Sequence, residues 1–112
     1  MISYDSMNNS YREMPNDFVL VRHGESESNV VQRAEYQGEI HENYEEVASR
    51  PDWQQRLTPT GVKQAQLAGQ WLRDQFGDIN NFDGCYVSPF LRARETASWI
   101  GGNNWIIDDR II

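Results

Sequence analysis

Four consecutive apolar residues, Phe18-Val19-Leu20-Val21, run straight into Arg22-His23-Gly24-Glu25. A short apolar run stopped by a glycine is the pattern of a strand buried on both faces, as in parallel sheets. Open α/β sheets keep their ligand crevice where the chain leaves such a strand at its carboxyl end. The sequence therefore puts a guanidinium and an imidazole at that crevice. Arg22 can grip a phosphate at two points. His23 is a candidate nucleophile toward phosphorus, with the arginine beside it to neutralise the phosphoryl group in flight. Alone, the pair reads more readily as a strand-end histidine bonded to a carbonyl and an arginine in solvent.

Two further segments change that balance: Leu57-Thr58-Pro59-Thr60-Gly61 and Ser88-Pro89-Phe90-Leu91-Arg92-Ala93-Arg94-Glu95-Thr96-Ala97. In order and spacing the three resemble the histidine phosphatase superfamily, the phosphoglycerate-mutase-like enzymes. The marks of that family are an Arg-His-Gly-Glu box, a Leu-Thr-x-x-Gly helix start and a Ser-x-x-x-Arg-Ala helix. The resemblance runs from about Asp17 to Ile112. It implies an α/β fold, with an open, mostly parallel sheet and helices on both faces. Residues 17–112 would then be the N-terminal part of the domain, incomplete at the C-terminus, because the family's general acid and second histidine fall beyond Ile112. His41, inside an acidic loop, does not match that second histidine.

The resemblance also distributes roles. His23 becomes phosphorylated, Arg22 and Arg92 hold the phosphate, and Asn29 is a phosphate or substrate contact. Ser26 is either a substrate contact or only a helix-start residue, and Glu25 is a supporting residue, not a proton donor. Phosphoglycerate mutases carry an Asn-x-Phe-x-Gly-Trp-x-Asp stretch after the first box, which Val30 to Tyr44 does not supply. The expected activity is therefore hydrolysis of a phosphomonoester through phosphohistidine. The alternatives are a mutase-type phosphotransferase and a truncated, non-catalytic domain that binds a phosphorylated ligand. The expected partner is a phosphorylated small molecule or a phosphoprotein.

Composition narrows the remaining classes. A formal charge of −7 with no Lys/Arg cluster argues against a nucleic-acid binder. Cys85 is the one cysteine, so no internal disulfide forms and nothing calls for an oxidising compartment; a cytoplasmic location is expected. No apolar stretch approaches the ~20 residues needed to span a bilayer. The carboxylates of Glu35, Glu39, Glu42, Glu45 and Glu46 lack ligand spacing, so neither metal nor cofactor is expected.

Along the chain, residues 1–16 show no strand or helix period and read as a flexible leader. A strand is expected over Asp17–Val21, then a helix from Glu25 to about Arg33, then a long substrate-side loop from Ala34 to Arg56. Thr58-Pro59 opens a second helix that Gly77 ends. Its core face carries Ala65, Ala68, Leu72 and Phe76, with Val62 and Trp71 nearby. Gly84–Val87 reads as a strand, Ser88-Pro89 as the start of a helix stopped by Gly101-Gly102, and Trp105–Ile107 as a further strand. Exposed strand edges would favour self-association.

Overall fold

The computed structural model describes residues 2–4, as backbone, and residues 17–111. Four strands form one sheet: β1 (Ile2–Tyr4), β2 (Asp17–Val19), β3 (Gly84–Val87) and β4 (Trp105–Ile107), in the order β2-β1-β3-β4. Both β2 and β3 pair antiparallel with β1, and β4 pairs parallel with β3. Hence β2, β3 and β4 run the same way, as a mostly parallel sheet requires, and β1 alone is reversed.

Strand β1 corrects the reading of residues 1–16 as a leader without structure. Ile2 stands opposite Val19 on one side and Cys85 on the other. Three residues are too few to display a period, so the pattern gives no warning. Residues 5–16 lie outside the described residues.

The first motif strand is also corrected. It is shorter than Asp17–Val21 and takes an outer position in the order, not an interior one. Phe18 is 55 % exposed and Leu20 is exposed too, whereas Val19 and Val21 pack against the core. The apolar run is thus divided by the two-residue alternation of a strand, with one face buried and one open.

Four described α-helices accompany the sheet: α1 (Glu27–Tyr36), α2 (Tyr44–Ala48), α3 (Pro59–Phe76) and α4 (Leu91–Ile100). Thr58 caps α3 by accepting from the Gly61 N–H, Pro59 fills the first turn, and Gly77 ends the helix at φ +82°. Gly101 stops α4 at φ +107°. The expected loop from Ala34 to Arg56 is more ordered than its composition suggests. It holds the end of α1, the short α2 and a 3-10 turn at Asp52–Gln54, tied by the Gln55 amide donating to the carbonyls of Val47 and Arg50.

The core joins α3 and α4 to one face of the sheet: Leu72, Ile79, Phe82, Cys85 and Ile100, flanked by Val19, Val21, Ala68, Phe76 and Trp105. Helix α3 approaches α4 closely at Gly69, where a side-chain carbon would strike the Ile100 backbone. Trp71, expected near the core face of α3, is exposed. The other sheet face carries Phe18 and, at 51 % exposure, Ile106. Helices on both faces are implied by the family resemblance; among the described residues the core helices α3 and α4 cover one face.

Leu72 is 1 % exposed and sits at the centre of this core. Leu72→Ala should cost about 2–5 kcal/mol, as truncation of a buried leucine does. Urea unfolding of the two proteins measures it, and a difference below about 1 kcal/mol would show that the core is not centred there.

Candidate active site

Strand β2 delivers the chain to Arg22 and His23, and β3 delivers it to Ser88 and the start of α4. Both exits open on one cavity of about 200 Å³, lined among others by Arg22, His23, Val87, Ser88, Phe90, Arg92 and Thr96. A second, more open cavity of about 480 Å³ is lined by Arg22, His23, Glu25, Asn29, Gln32, Arg33, Tyr36 and Gln64. Arg22 and His23 belong to both. Arg92 reaches the first and Asn29 the second.

The imidazole is held in a defined state. His23 Nδ1 lies 2.7 Å from the Gly24 carbonyl oxygen. A carbonyl only accepts, so the contact calls for a proton on Nδ1, and the tautomer it selects has its lone pair on Nε2. The Gly24 N–H donates to Thr96 Oγ1 at 3.1 Å, and that hydroxyl donates in turn to the Arg92 carbonyl at 2.7 Å. Thr96 therefore ties the histidine loop to the helix turn that bears Arg92. It sits four residues after Arg92, on the same helix face, which is the signal through which its role was readable.

A second set of contacts locks this loop to the start of α3. A side-chain carbon on Gly24 would strike the Gly61 carbonyl, and one on Gly61 would strike the Glu25 carbonyl. The Thr58 N–H donates to the Glu25 carbonyl at 2.9 Å, and the Glu27 N–H donates to the Arg56 carbonyl at 2.8 Å. Glu25 Oε1 accepts from Thr58 Oγ1, and Oε2 pairs with Arg33 at 2.7 Å. Those two partners, Arg33 first, hold the Glu25 carboxyl below its ordinary pKa. Glu25 is thus an ionised brace. Glu95 likewise braces the site from α4, accepting from the Leu57 N–H.

Ser26 is 0 % exposed and caps α1: its hydroxyl accepts from the Asn29 N–H, and the Asn29 Oδ1 accepts from the Ser26 N–H. The possible substrate contact at Ser26 is therefore corrected to a helix cap, since a fully buried hydroxyl cannot reach a ligand. The Asn29 side chain enters this box through its oxygen, and among the described residues its amide N–H groups have no partner; the residue lines the larger cavity. His41 lies in the turn before α2, where Nδ1 accepts from the Asn43 N–H, and it lines neither cavity. Cys85 is buried, and burial raises its thiol pKa. Among the described residues no cluster of His, Cys, Asp and Glu has the makings of a metal site.

Arg92 is engaged on the side away from Nε. Its Nη1 donates to the Asp52 carbonyl at 2.7 Å and to Oδ1 at 3.2 Å, Nη2 lies 3.4 Å from Oδ2, and the guanidinium carbon stands 4.9 Å from the centre of the Phe90 ring. Nothing in the sequence pattern singles out Asp52, which lies 40 positions away.

The profile of the histidine phosphatase superfamily (branch 1) matches residues 18–112. This chain belongs to that superfamily. It is similar to a SixA phosphohistidine phosphatase homolog of Haemophilus influenzae, at 45 % identity over 53 residues, covering 46 % of this chain and 32 % of that protein. A solved structure from Nakamurella multipartita, assigned as the phosphohistidine phosphatase SixA, aligns with a TM-score of 0.55 and 27 % identity over 82 % of this chain and 41 % of the other. The chain thus spans well under half the length of either relative. Among the described residues no helix is long and apolar enough to cross a membrane.

Two outcomes test the bracing. Thr96→Val leaves the buried Gly24 N–H without its acceptor and should cost about 1–3 kcal/mol in denaturant unfolding. Glu25 has a lowered pKa in the folded protein, so its contribution to stability is present above the unfolded value, near 4.5, and disappears as pH falls through the folded one. Stability should therefore decline as pH drops below about 4.5, and Glu25→Gln should flatten that acid limb. Parallel pH profiles for the two proteins would remove Glu25 from the account.

Proposed function

We propose that this chain carries the phosphoryl-accepting part of a phosphatase, in which His23 forms a phosphohistidine and Arg22, Arg92 and Asn29 hold the phosphoryl oxygens. The observation that carries the reading is the His23 ring. Its Nδ1 is engaged by the Gly24 carbonyl, which leaves Nε2 for a ligand, and the residue lines a cavity together with Arg22 and Arg92.

In the first step Nε2 attacks phosphorus, a P–N bond forms, and the bond from phosphorus to the leaving group breaks with its electron pair on the leaving atom. The positive charge then on the ring is met by the Gly24 carbonyl at Nδ1. Arg22 and Arg92 offset the charge on the phosphoryl oxygens as it spreads over them. In the second step water attacks phosphorus and a P–O bond forms; the P–N bond breaks with its electron pair returning to Nε2, and inorganic phosphate leaves with the oxygen and protons of the water. Glu25 gives no proton in either step, because Arg33 and Thr58 keep it ionised.

Both relatives bear the name phosphohistidine phosphatase. That favours a phosphohistidyl protein as substrate within the broader class of phosphorylated side chains and phosphomonoesters. The test is brief incubation with radiolabelled phosphohistidyl protein and, in parallel, a labelled phosphomonoester. Label should remain on the protein in an acid-labile, base-stable form and vanish in His23→Ala. Label retained by that variant would sink the assignment of the nucleophile, and label from the monoester alone would overturn the substrate preference. Arg92→Ala should lower the labelling rate by roughly 10²-fold or more, the scale of losing one charged donor to a transition state.

A further inference from the structure

The acidic stretch before α3 bends back to α4, and the contact that Asp52 makes there falls on the proposed phosphate clamp. A guanidinium presents five N–H groups in a fixed plane. Asp52 takes both hydrogens of Arg92 Nη1, one with its carbonyl and one with Oδ1, and its Oδ2 meets Nη2. The Phe90 ring lies against the guanidinium. What remains is the edge formed by Nε–H and the second hydrogen of Nη2, and among the described residues neither has a partner. That edge is itself a two-point donor of the kind that phosphate accepts.

We propose that Asp52 is a positioning residue for Arg92: the 3-10 turn fixes the end of the guanidinium so that its Nε/Nη2 edge is held ready for a phosphoryl group in the cavity. The inference rests on the reading of Arg92 as a phosphate clamp and adds the residue that orients it. A long arginine side chain otherwise loses considerable rotamer freedom when it binds an anion. Asp52 anchors it beforehand. The carboxylate is 70 % exposed, so water and salt screen its repulsion of an incoming phosphate, and the ordering effect dominates.

The position of Asp52 explains a feature of the loop. Residues 51–54 are largely exposed, yet the turn at Asp52–Gln54 is regular, with the Gln54 N–H donating to the Pro51 carbonyl at 3.0 Å. This turn is the mount from which Asp52 meets Arg92.

Two measurements on the full chain decide the matter. Titration with inorganic phosphate should show Asp52→Ala weakened by roughly threefold to tenfold, with Asp52→Asn, which keeps an acceptor oxygen, within about twofold of the unaltered chain. In an Arg92→Ala background the Asp52→Ala step should have no further effect, since the residue acts only through that guanidinium. Independently of phosphate, the Arg92 Nε–H resonance should be distinct in the unaltered chain and averaged with the other arginines in Asp52→Ala. Unchanged or tighter phosphate binding by Asp52→Ala would make the carboxylate a bystander or a competitor and overturn the proposal. An equal loss in the Arg92→Ala background would do the same, assigning the effect to the loop. If the unaltered chain binds no phosphate, the clamp reading fails. An Nε–H signal that Asp52→Ala leaves unaltered then removes the positioning role as well.

Discussion

Two glycines, Gly24 and Gly61, set the geometry on which everything at this site depends. Each lies where the other loop's backbone leaves no room for a side chain. The close approach lets Thr58 donate to Glu25 through both its N–H and its hydroxyl, and lets Ser26 bridge to Leu57. A residue such as alanine at either position would push the histidine loop off the start of α3. These backbone contacts have no adjustable side chain between them, so the Gly24 carbonyl is fixed, and with it the orientation of the His23 ring.

Charge is arranged around this fixed point with some economy. The chain is acidic overall, yet the cavities are lined by arginines. Arg33 is engaged by Glu25, and Arg50 and Arg56 are engaged by Glu27. Arg92 is held at one end by Asp52, and Arg22 makes no ion pair among the described residues. Pairing of Arg33, Arg50 and Arg56 leaves Arg22 and the free edge of Arg92 as the cations turned to the cavities. Burial there is partial, so each pair contributes modestly to stability. Their larger effect is to fix which groups an incoming anion meets.

Much of this was readable from sequence because local rules and the site coincide. Thr58-Pro59 and Gly77 bound α3 through capping and conformational rules that need no tertiary information. Strands β3 and β4 stand where their apolar runs put them. The places of Arg22, His23 and Arg92 in the fold were legible because they lie at ends of elements, where short-range pattern fixes position. What escaped was non-local. Ile2–Tyr4 enters the sheet through ladder partners at Val19 and Cys85, which no window of sequence reveals. The exposure of Phe18 depends on what lies over the sheet, not on its neighbours in the chain. Asp52 reaches Arg92 across 40 positions, and an aspartate in an acidic loop looks like a solvated surface. Ser26 was ambiguous between ligand and cap because the same hydroxyl chemistry serves both; only its complete burial separates them.

The two cavities give the proposed reaction a direction. In-line displacement needs the attacking atom and the leaving atom on opposite sides of phosphorus. Arg22 and His23 line both cavities, and Arg92 lines only the smaller. A phosphoryl group gripped by both arginines therefore lies toward the smaller cavity. Most of that cavity's remaining wall is apolar, including Val21, Val87, Ala97, Ile100 and Trp105. Such a wall sheds water and strengthens the pull of the guanidinium groups on phosphate. The larger cavity, with Gln32, Gln64 and Tyr36, offers hydrogen-bonding side chains instead. The same fold thus sets a smaller cavity with a largely apolar wall beside a larger one with charged and hydrogen-bonding side chains, and His23 lines both.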